Sequence, residues 1–306
     1  MIRMSQLLLQ QESLWPALVE RSRHALACGA MQPIETSQKI VHDAGVDFLV
    51  RRLSSLALKE QERRQNEQAA GPANPFLPHE PDLFVADISA SHFALLNKFN
   101  VIAHHLLIVT RRFVDQETLV DLDDFQALAA CMAQFDGLAI YNGGAVAGAS
   151  QPHKHLQLVP LPLVPGGPLV PMEPLFATVT GRAGIQCISG LPFRHAFAWM
   201  EPGWFEDADG AAARLLALYL NLLGANGLGA VGATGEERQS EPYNLLATRR
   251  WMLLVPRSKE KFDSVPVNSL GFAGSMFVRD EAQMQVLTRA GPMAVLSAVS
   301  LPNPTN

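Results

Sequence analysis

Trp15, Leu18, Val19 and Leu26, with Ser22 between them, recur at helical spacing and lead into Cys28-Gly29. That spacing predicts an opening helix, closed where glycine can supply a left-handed cap. A second helical period follows Asp121 and Asp124, which stand at the cap and third helical positions as a variant capping box. It runs through Phe125, Leu128, Ala129, Met132 and Phe135 and is predicted to end near Gly137. A third helix is predicted over 211–223, ended by Gly224. The other apolar runs are shorter and rich in β-branched and aliphatic residues. Residues 100–110, reading NVIAHHLLIVT, have the length of a buried strand, and further strands are predicted at 138–141, 156–159, 197–200, 244–248 and 251–255. Strands outnumber helices, and loops or hairpin-length gaps separate most of them, so the expected class is α+β with a largely antiparallel sheet. The stretch 59–68 is dense in charge and amide and is followed by Gly71-Pro72, Pro75 and Pro78. Such a composition cannot bury itself, so it is read as an exposed crossover and not as a domain boundary.

Composition narrows the function more than the fold. At 306 residues and 48% hydrophobic side chains the chain can bury a large core, as one large domain or two intimately packed ones. A formal charge of −5 without a basic tail argues against a protein that grips nucleic acid by bulk electrostatics, so an anionic ligand would need a local basic pocket. Cys28, Cys131 and Cys187 are odd in number and form no C-x-x-C pair, which suggests neither a disulfide framework nor a thiolate zinc site and implies a reducing compartment. No apolar run approaches the ~20 residues that span a bilayer, and the first residues lack the pattern of a secretory signal. The expectation is a cytoplasmic protein without a membrane partner.

The chemistry concentrates in 141–160, YNGGAVAGASQPHKHLQLVP. On an extended strand alternate side chains share a face, so His153, His155 and Gln157 would line one wall while Lys154, Leu156 and Leu158 point the other way. Just before them, Gly143, Gly144, Gly148, Ala149 and Ser150 are small enough to let a polyanion approach the backbone N–H groups. Imidazole is a good nucleophile toward phosphorus near neutral pH and a competent leaving group from a phosphoramidate, which suits double displacement. A neutral Gln157 can donate to a nonbridging phosphate oxygen without activating water, so transfer is favoured over hydrolysis. Two histidines at i and i+2 also suit zinc, and a purely structural pair is the plain alternative; no third ligand is nearby in sequence. His104 and His105 are expected on opposite faces of the preceding strand, as packing or hydrogen-bonding residues, and the cysteines as core filler.

At these residues the chain resembles the eukaryotic-type ATP adenylyltransferases, also called diadenosine tetraphosphate phosphorylases, of the histidine triad superfamily. The resemblance rests on seven ordered segments between about Trp15 and Arg279: GAMQPIET, NPFLPHEPDLFV, LLNKFNV, YNGGAVAGASQPHKHLQLVPLPL, LPFRHAFAWM, PYNLLATRRWMLLVPR and VNSLGFAGSMFVRD. H-x-H-x-Q alone is shared with galactose-1-phosphate uridylyltransferases. The resemblance implies a histidine-triad-like core with N- and C-terminal extensions, an N-terminal region over 1–190 carrying the motif and a C-terminal region over 191–306 completing the nucleotide site. It makes His155 the nucleophile that becomes adenylylated, His153 its orienting partner and Gln157 the contact to the α-phosphate, in place of the third histidine of hydrolytic relatives. Asn142 and the run Gly148, Ala149, Ser150 and Gln151 match the segment that holds polyphosphate and ribose. Lys59, Asn97 and Lys98 match positions that complete the site from the N-terminal part, and Asn268, Ser269 and Leu270 match a ligand-contacting turn. Where the family commonly has methionine and then lysine, this chain has Ser275 and Arg279; arginine can still neutralise phosphate, with a planar fork in place of a point charge.

The implied activity is phosphorolysis of diadenosine tetraphosphate to ADP and ATP by a monomer whose partners are nucleotides and phosphate. No tightly bound cofactor is implied, and a divalent cation such as Mg2+ would accompany the polyphosphate. Two rivals stay open: a sugar-1-phosphate nucleotidyltransferase, and a noncatalytic module that senses dinucleotides.

Overall fold

The computed structural model describes residues 6–54, 74–233 and 237–303. Helix α1 (Leu14–Cys28) ends on Gly29 at φ 79°, the left-handed cap its sequence announces. Strands β1 (Thr36–Asp43) and β2 (Val46–Leu53) form an antiparallel hairpin. Then come β3 (Phe84–Asp87), β4 (His92–Leu96), β5 (Leu106–Thr110) and helix α2 (Leu122–Met132). The capping box of α2 is complete: Asp124 N–H donates to Asp121 at 3.0 Å, and Asp121 N–H donates back to Asp124 at 2.8 Å. Strands β6 (Gly137–Gly143), β7 (His155–Pro160) and β8 (Ala196–Trp199) precede helix α3 (Ala208–Ala225), and β9 (Tyr243–Ala247) and β10 (Trp251–Pro256) follow it. The chain closes with α4 (Ser269–Phe272), β11 (Ser275–Val278), α5 (Glu281–Ala290) and α6 (Pro292–Val299).

Eight strands make one sheet in the order β3-β4-β5-β7-β6-β9-β10-β8, and every neighbouring pair is antiparallel. The expected α+β class with a largely antiparallel sheet is therefore what the chain adopts. Strands from either side of residue 190 meet within this sheet, since β6 lies between β7 and β9. A second sheet runs β1-β2-β11, with β11 parallel to β2.

Alternation along the strands separates two faces. Ala139 and Tyr141 of β6, Leu156 and Leu158 of β7, and Leu245 of β9 share one apolar core with Leu18 of α1, Phe125 and Leu128 of α2, and Leu215 and Tyr219 of α3. Leu138, Ile140, Val159, Leu246 and Leu253 face the other way and pack with Phe48 and Val50 of β2, Met276 of β11, Leu287 of α5 and Leu296 of α6. Farther along that same face, Phe93, Leu95, Leu107 and Val109 form a separate cluster under Phe76. By register His155 lies opposite Val109, and Gln157 lies between Leu107 and Ile140. The predicted histidine wall therefore occupies the seam between two apolar clusters, and the helical layer covers the reverse side.

Local boundaries differ from expectation in three places. The strand expected over 100–110 starts only at Leu106, because Asn97 and Asn100 fold the preceding residues into a turn, with Phe99 N–H donating to Asn97 Oδ1 at 3.2 Å and Asn100 Nδ2 to Ile102 O at 2.9 Å. His104 sits in that turn at φ 55°, so it and His105 precede the strand. Helix α2 ends at Met132, which leaves Phe135 outside it. Helix α3 runs past Gly224 to Ala225 and is capped by Asn226, before Gly227 at φ 68°.

Candidate active site

His155 opens β7 and is almost completely buried. Its Nδ1 lies 2.8 Å from the carbonyl oxygen of His153. A carbonyl can only accept, so Nδ1 carries the proton and Nε2 is left with its lone pair. Burial pushes the imidazole pKa down to about 4, outweighing the hydrogen bond to His153 O, which favours the protonated ring. At neutral pH the ring is uncharged and in the tautomer a nucleophile requires.

His153 is held from both sides. Its Nε2 donates to Thr110 O at 2.9 Å, and its Nδ1 accepts from Asn74 Nδ2 at 3.0 Å. The polarity of that contact is set locally, because Asn74 Oδ1 is taken by Phe76 N–H at 3.0 Å. The Phe76 ring then covers both histidines, with centroids 5.5 Å from His153 and 5.3 Å from His155. Desolvation lowers the pKa of His153 as well.

Gln157 is oriented by a relay whose direction can be followed from its far end. Phe99 N–H fixes the oxygen of the Asn97 amide, so Asn97 turns its Nδ2 toward His105 Nδ1 at 3.3 Å. His105 is thereby protonated on Nε2, which donates to Gln157 Oε1 at 2.8 Å. With its oxygen held, the Gln157 amide has Nε2 as the end available to an anionic ligand. Burial depresses His105 to about 4, which keeps this link neutral. His105, expected to be a packing or hydrogen-bonding residue, thus touches the wall directly.

The ladder between β6 and β7 stops at Ile140 and Gln157, and a side chain takes its place. The amide of buried Gln116 accepts His155 N–H at 2.8 Å and donates to Asn142 O at 2.9 Å and His155 O at 3.3 Å. It stands where a backbone pair between residues 142 and 155 would come next, and so opens the sheet at the wall.

On the reverse face Lys154 is buried with Asp124, their N and O atoms 2.5 Å apart, and Asp124 also accepts from His92 at 2.9 Å. Burial alone would raise the Asp124 carboxyl; Lys154 and His92 outweigh it and hold the group well below the usual carboxylate range. This triad anchors the peptide between the two histidines from behind.

The glycine-rich loop differs in detail from its sequence reading. Gly144 N–H donates to Asn142 O, Gly148 N–H to Ala145 O and Ala149 N–H to Gly144 O, all within the turn. Gly148, at φ +90°, is required by close approach to protein: a Cβ there would stand 2.8 Å from Asn268 Cβ and 2.9 Å from Val267 O. The backbone N–H groups of Ser150 and Gln151 have no protein acceptor among the described residues. Asn142 accepts at Oδ1 from Ser269 N, Ser269 Oγ and Asn244 Nδ2 at 3.0, 2.7 and 2.9 Å. Buried Arg257 donates to Asn244 Oδ1 at 2.5 Å, and desolvation lowers its pKa to about 10.

Several expected contacts are placed elsewhere. Lys59 lies outside the described residues. Lys98 is paired with Glu80 at 2.6 Å, both about a third exposed. Ser269 is fully buried with its hydroxyl bonded to Asn142, so it meets a ligand only through that residue. Asn268 caps α4 by accepting Leu270 N–H at 3.0 Å, with Leu270 partly buried beside it. Ser275 is buried as the acceptor of Arg51 Nη1, and Arg279 is half exposed with its guanidinium on Asp280 at 3.3 Å. The sequence reading missed Asn74, Phe76, Thr110 and Gln116. Asn74 and Phe76 do fall in a quoted family segment, which was the available signal.

An unprotonated imidazole nitrogen beside an oriented amide donor is the donor set of a histidine-dependent nucleotidyltransferase. The family model for the Ap4A phosphorylase N-terminal domain matches residues 4–178, and that for the ATP adenylyltransferase C-terminal domain matches residues 189–302. The chain therefore belongs to the Ap4A phosphorylase and ATP adenylyltransferase family. It is 27% identical over 256 residues to diadenosine 5',5'''-P1,P4-tetraphosphate phosphorylase 2 of Saccharomyces cerevisiae, covering 76% of this chain and 77% of that protein. It is 26% identical over 296 residues to Protein APA1 of the same yeast, covering 88% of each. The crystal structure of yeast Ap4A phosphorylase Apa2 in complex with Ap4A superposes with a TM-score of 0.78 at 23% identity, over 97% of this chain and 100% of that one. The complex of the same enzyme with AMP gives 0.78 at 23% identity over 98% and 99%. These superpositions establish a shared fold.

Proposed function

We propose that this chain is a diadenosine tetraphosphate phosphorylase that converts the dinucleotide and inorganic phosphate to ADP and ATP through an adenylyl-His155 intermediate. The observation that carries the reading is the Nδ1 contact of His155 to His153 O at 2.8 Å, which leaves an unprotonated Nε2 on the same strand face as Gln157. In the first half-reaction Nε2 attacks an α-phosphorus, the P–N bond forms, the P–O bond to the chain breaks and ATP departs. In the second, a phosphate oxygen attacks the same phosphorus, the P–N bond breaks and ADP forms. Gln157 Nε2, with its oxygen held by His105, donates to a nonbridging oxygen in both steps, a preorganised role. Asn142, Gly148, Ala149, Ser150 and Gln151 are assigned to polyphosphate and ribose, with the N–H groups of Ser150 and Gln151 as donors. Asn97 acts through His105, and Lys98 supplies positive charge on exchanging Glu80 for substrate. Asn268, Ser269, Leu270, Ser275 and Arg279 are assigned to the C-terminal side of the site, Ser269 acting through Asn142.

A divalent cation belongs with the polyphosphate in this reading: among the described residues, the side chains that touch the wall, Asn74, Phe76, Thr110, Phe113, Gln116 and His105, include no carboxylate to hold Mg2+. We take the core as histidine-triad-like, with the regions 1–190 and 191–306 contributing to one site in a monomer. No helix among the described residues is long and apolar enough to cross a membrane; a cytoplasmic setting, suggested by three cysteines without a disulfide framework, is part of the proposal. The test is a product assay with and without phosphate. ATP and ADP formation that requires phosphate and exceeds AMP formation supports the reading. Mainly AMP at millimolar phosphate, or discharge only by a hexose phosphate, overturns it, and ligand binding without turnover points to the sensing module.

A further inference from the structure

Helix α1 ends in a side-chain cluster that takes no part in the chemistry above. His24 and Cys28 stand four residues apart, so they share one helical face. That face points to solvent, because the helix buries Leu14, Leu18, Ser22 and Ala25 on the other. Asp82, from the turn Pro81–Leu83, joins them through space: His24 Nε2 is 2.7 Å from Asp82 Oδ1, and the ligating atoms of His24, Cys28 and Asp82 all lie within 4.8 Å of one another.

A tetrahedral ion with bonds of about 2.0–2.3 Å sets its ligand atoms roughly 3.3–3.8 Å apart, close to the spacing of atoms that already lie within 4.8 Å of one another. One imidazole nitrogen, one thiolate sulfur and one carboxylate oxygen suit zinc and cobalt, whereas Mg2+ and Ca2+ select oxygen. The helix end adds a second reason: its last turn contains no Lys or Arg, so a cation there meets the partial negative charge of the terminal carbonyls. Glu20 and Arg21, which line the adjoining cleft with His24, offset one another in formal charge.

We propose that His24, Cys28 and Asp82 form a binding site for a zinc-class divalent cation, with water as the fourth ligand. Occupancy would tie α1 to the segment that carries Asn74, Phe76 and Glu80, and so to the residues that cover the histidines and hold Lys98. Because the thiol must lose its proton to bind, affinity rises with pH. The test is titration of the untagged, reduced full chain with Co2+, read by thiolate-to-cobalt charge-transfer absorption. His153 and His155 cannot produce that signal, since it requires sulfur. The expected result is a band saturating at one equivalent and bleached by Zn2+. It should be absent in Cys28→Ala, shifted to at least ~10-fold higher Co2+ in His24→Ala and in Asp82→Asn, and unchanged in Cys187→Ala. No band in the intact protein, a band that survives Cys28→Ala, or one lost in Cys187→Ala would overturn the proposal. Circular dichroism of each variant without metal verifies that exposed Cys28 was replaced without unfolding the chain.

Discussion

Replacing His105 by phenylalanine cuts the relay that aims Gln157 while keeping an aromatic ring in its place. In the intact protein Asn97 donates to His105 Nδ1 at 3.3 Å and His105 donates to Gln157 Oε1 at 2.8 Å, so the amide nitrogen is held in one orientation. Without the donor, Gln157 can present either end to the phosphate. The loss is bounded below by one neutral hydrogen bond, about 0.5–1.5 kcal/mol or roughly 2- to 13-fold in rate. It is bounded above by removing the donor itself, on the order of 10²–10³-fold for an oxyanion-hole amide. We expect His105→Phe to lower the single-turnover rate of adenylyl transfer within those limits, with Gln157→Ala more severe. If His105 acts through Gln157, the double variant His105→Phe/Gln157→Ala should be no slower than Gln157→Ala alone. Equal effects of His105→Phe in both backgrounds would refute the relay and leave His105 as packing.

Three further outcomes follow from the same geometry. The pKa of His155 falls from 6.5 to about 4 on folding, so the nucleophile should stay neutral and the adenylylation rate flat down to about pH 5; a half-maximal rate near the free imidazole value would contradict this. In the same window the unfolded chain binds more protons than the folded one, so stability is complete above pH 6.5 and should decline as pH falls toward 4, read as a falling urea midpoint. Gln116→Ala strands buried His155 N–H, while Asn142 O keeps Gly144 N–H, and should cost about 1–3 kcal/mol in urea unfolding and lower kcat more than it raises KM; a changed KM alone would show that Gln116 does not position the nucleophile. Lys98→Met should leave Tm near normal, because its pair with Glu80 is a third exposed and screened by solvent, worth about 0–1 kcal/mol, while kcat/KM falls at least ~10-fold; unchanged kcat/KM in the folded variant would remove Lys98 from the site.

What the sequence revealed was whatever depends on neighbours along the chain. The capping box of Asp121 and Asp124, the Cys28-Gly29 stop, and the shared face of His153, His155 and Gln157 are local or periodic signals, and each is found in the structure. The β1–β2 hairpin carried no such signal. Its turn uses Ala44 and Gly45 at φ 48° and 77°, with alanine where Asn or Asp would announce it, and β1 is mostly exposed. Helix α5 did carry one: Asp280 accepts Gln283 N–H at 2.9 Å, a cap legible as D-x-x-Q. Contacts across the fold were out of reach. Asn74 is 79 residues from His153, and Asp82 is 58 residues from His24. His105 could be connected to Gln157 only once the register placed Leu107 opposite it and the turn at Asn97 reversed the chain.

In the proposed reaction Nε2 of His155 is the atom that takes the adenylyl group. Rapid mixing of the protein with diadenosine tetraphosphate in the absence of phosphate, followed by alkaline quench and peptide mass spectrometry, tests that directly. The expected result is an acid-labile, base-stable adenylyl group on His155 that disappears on adding phosphate as ADP forms, with no adduct and no rapid turnover in His155→Ala. An adduct on another residue, or full activity in His155→Ala, would contradict it.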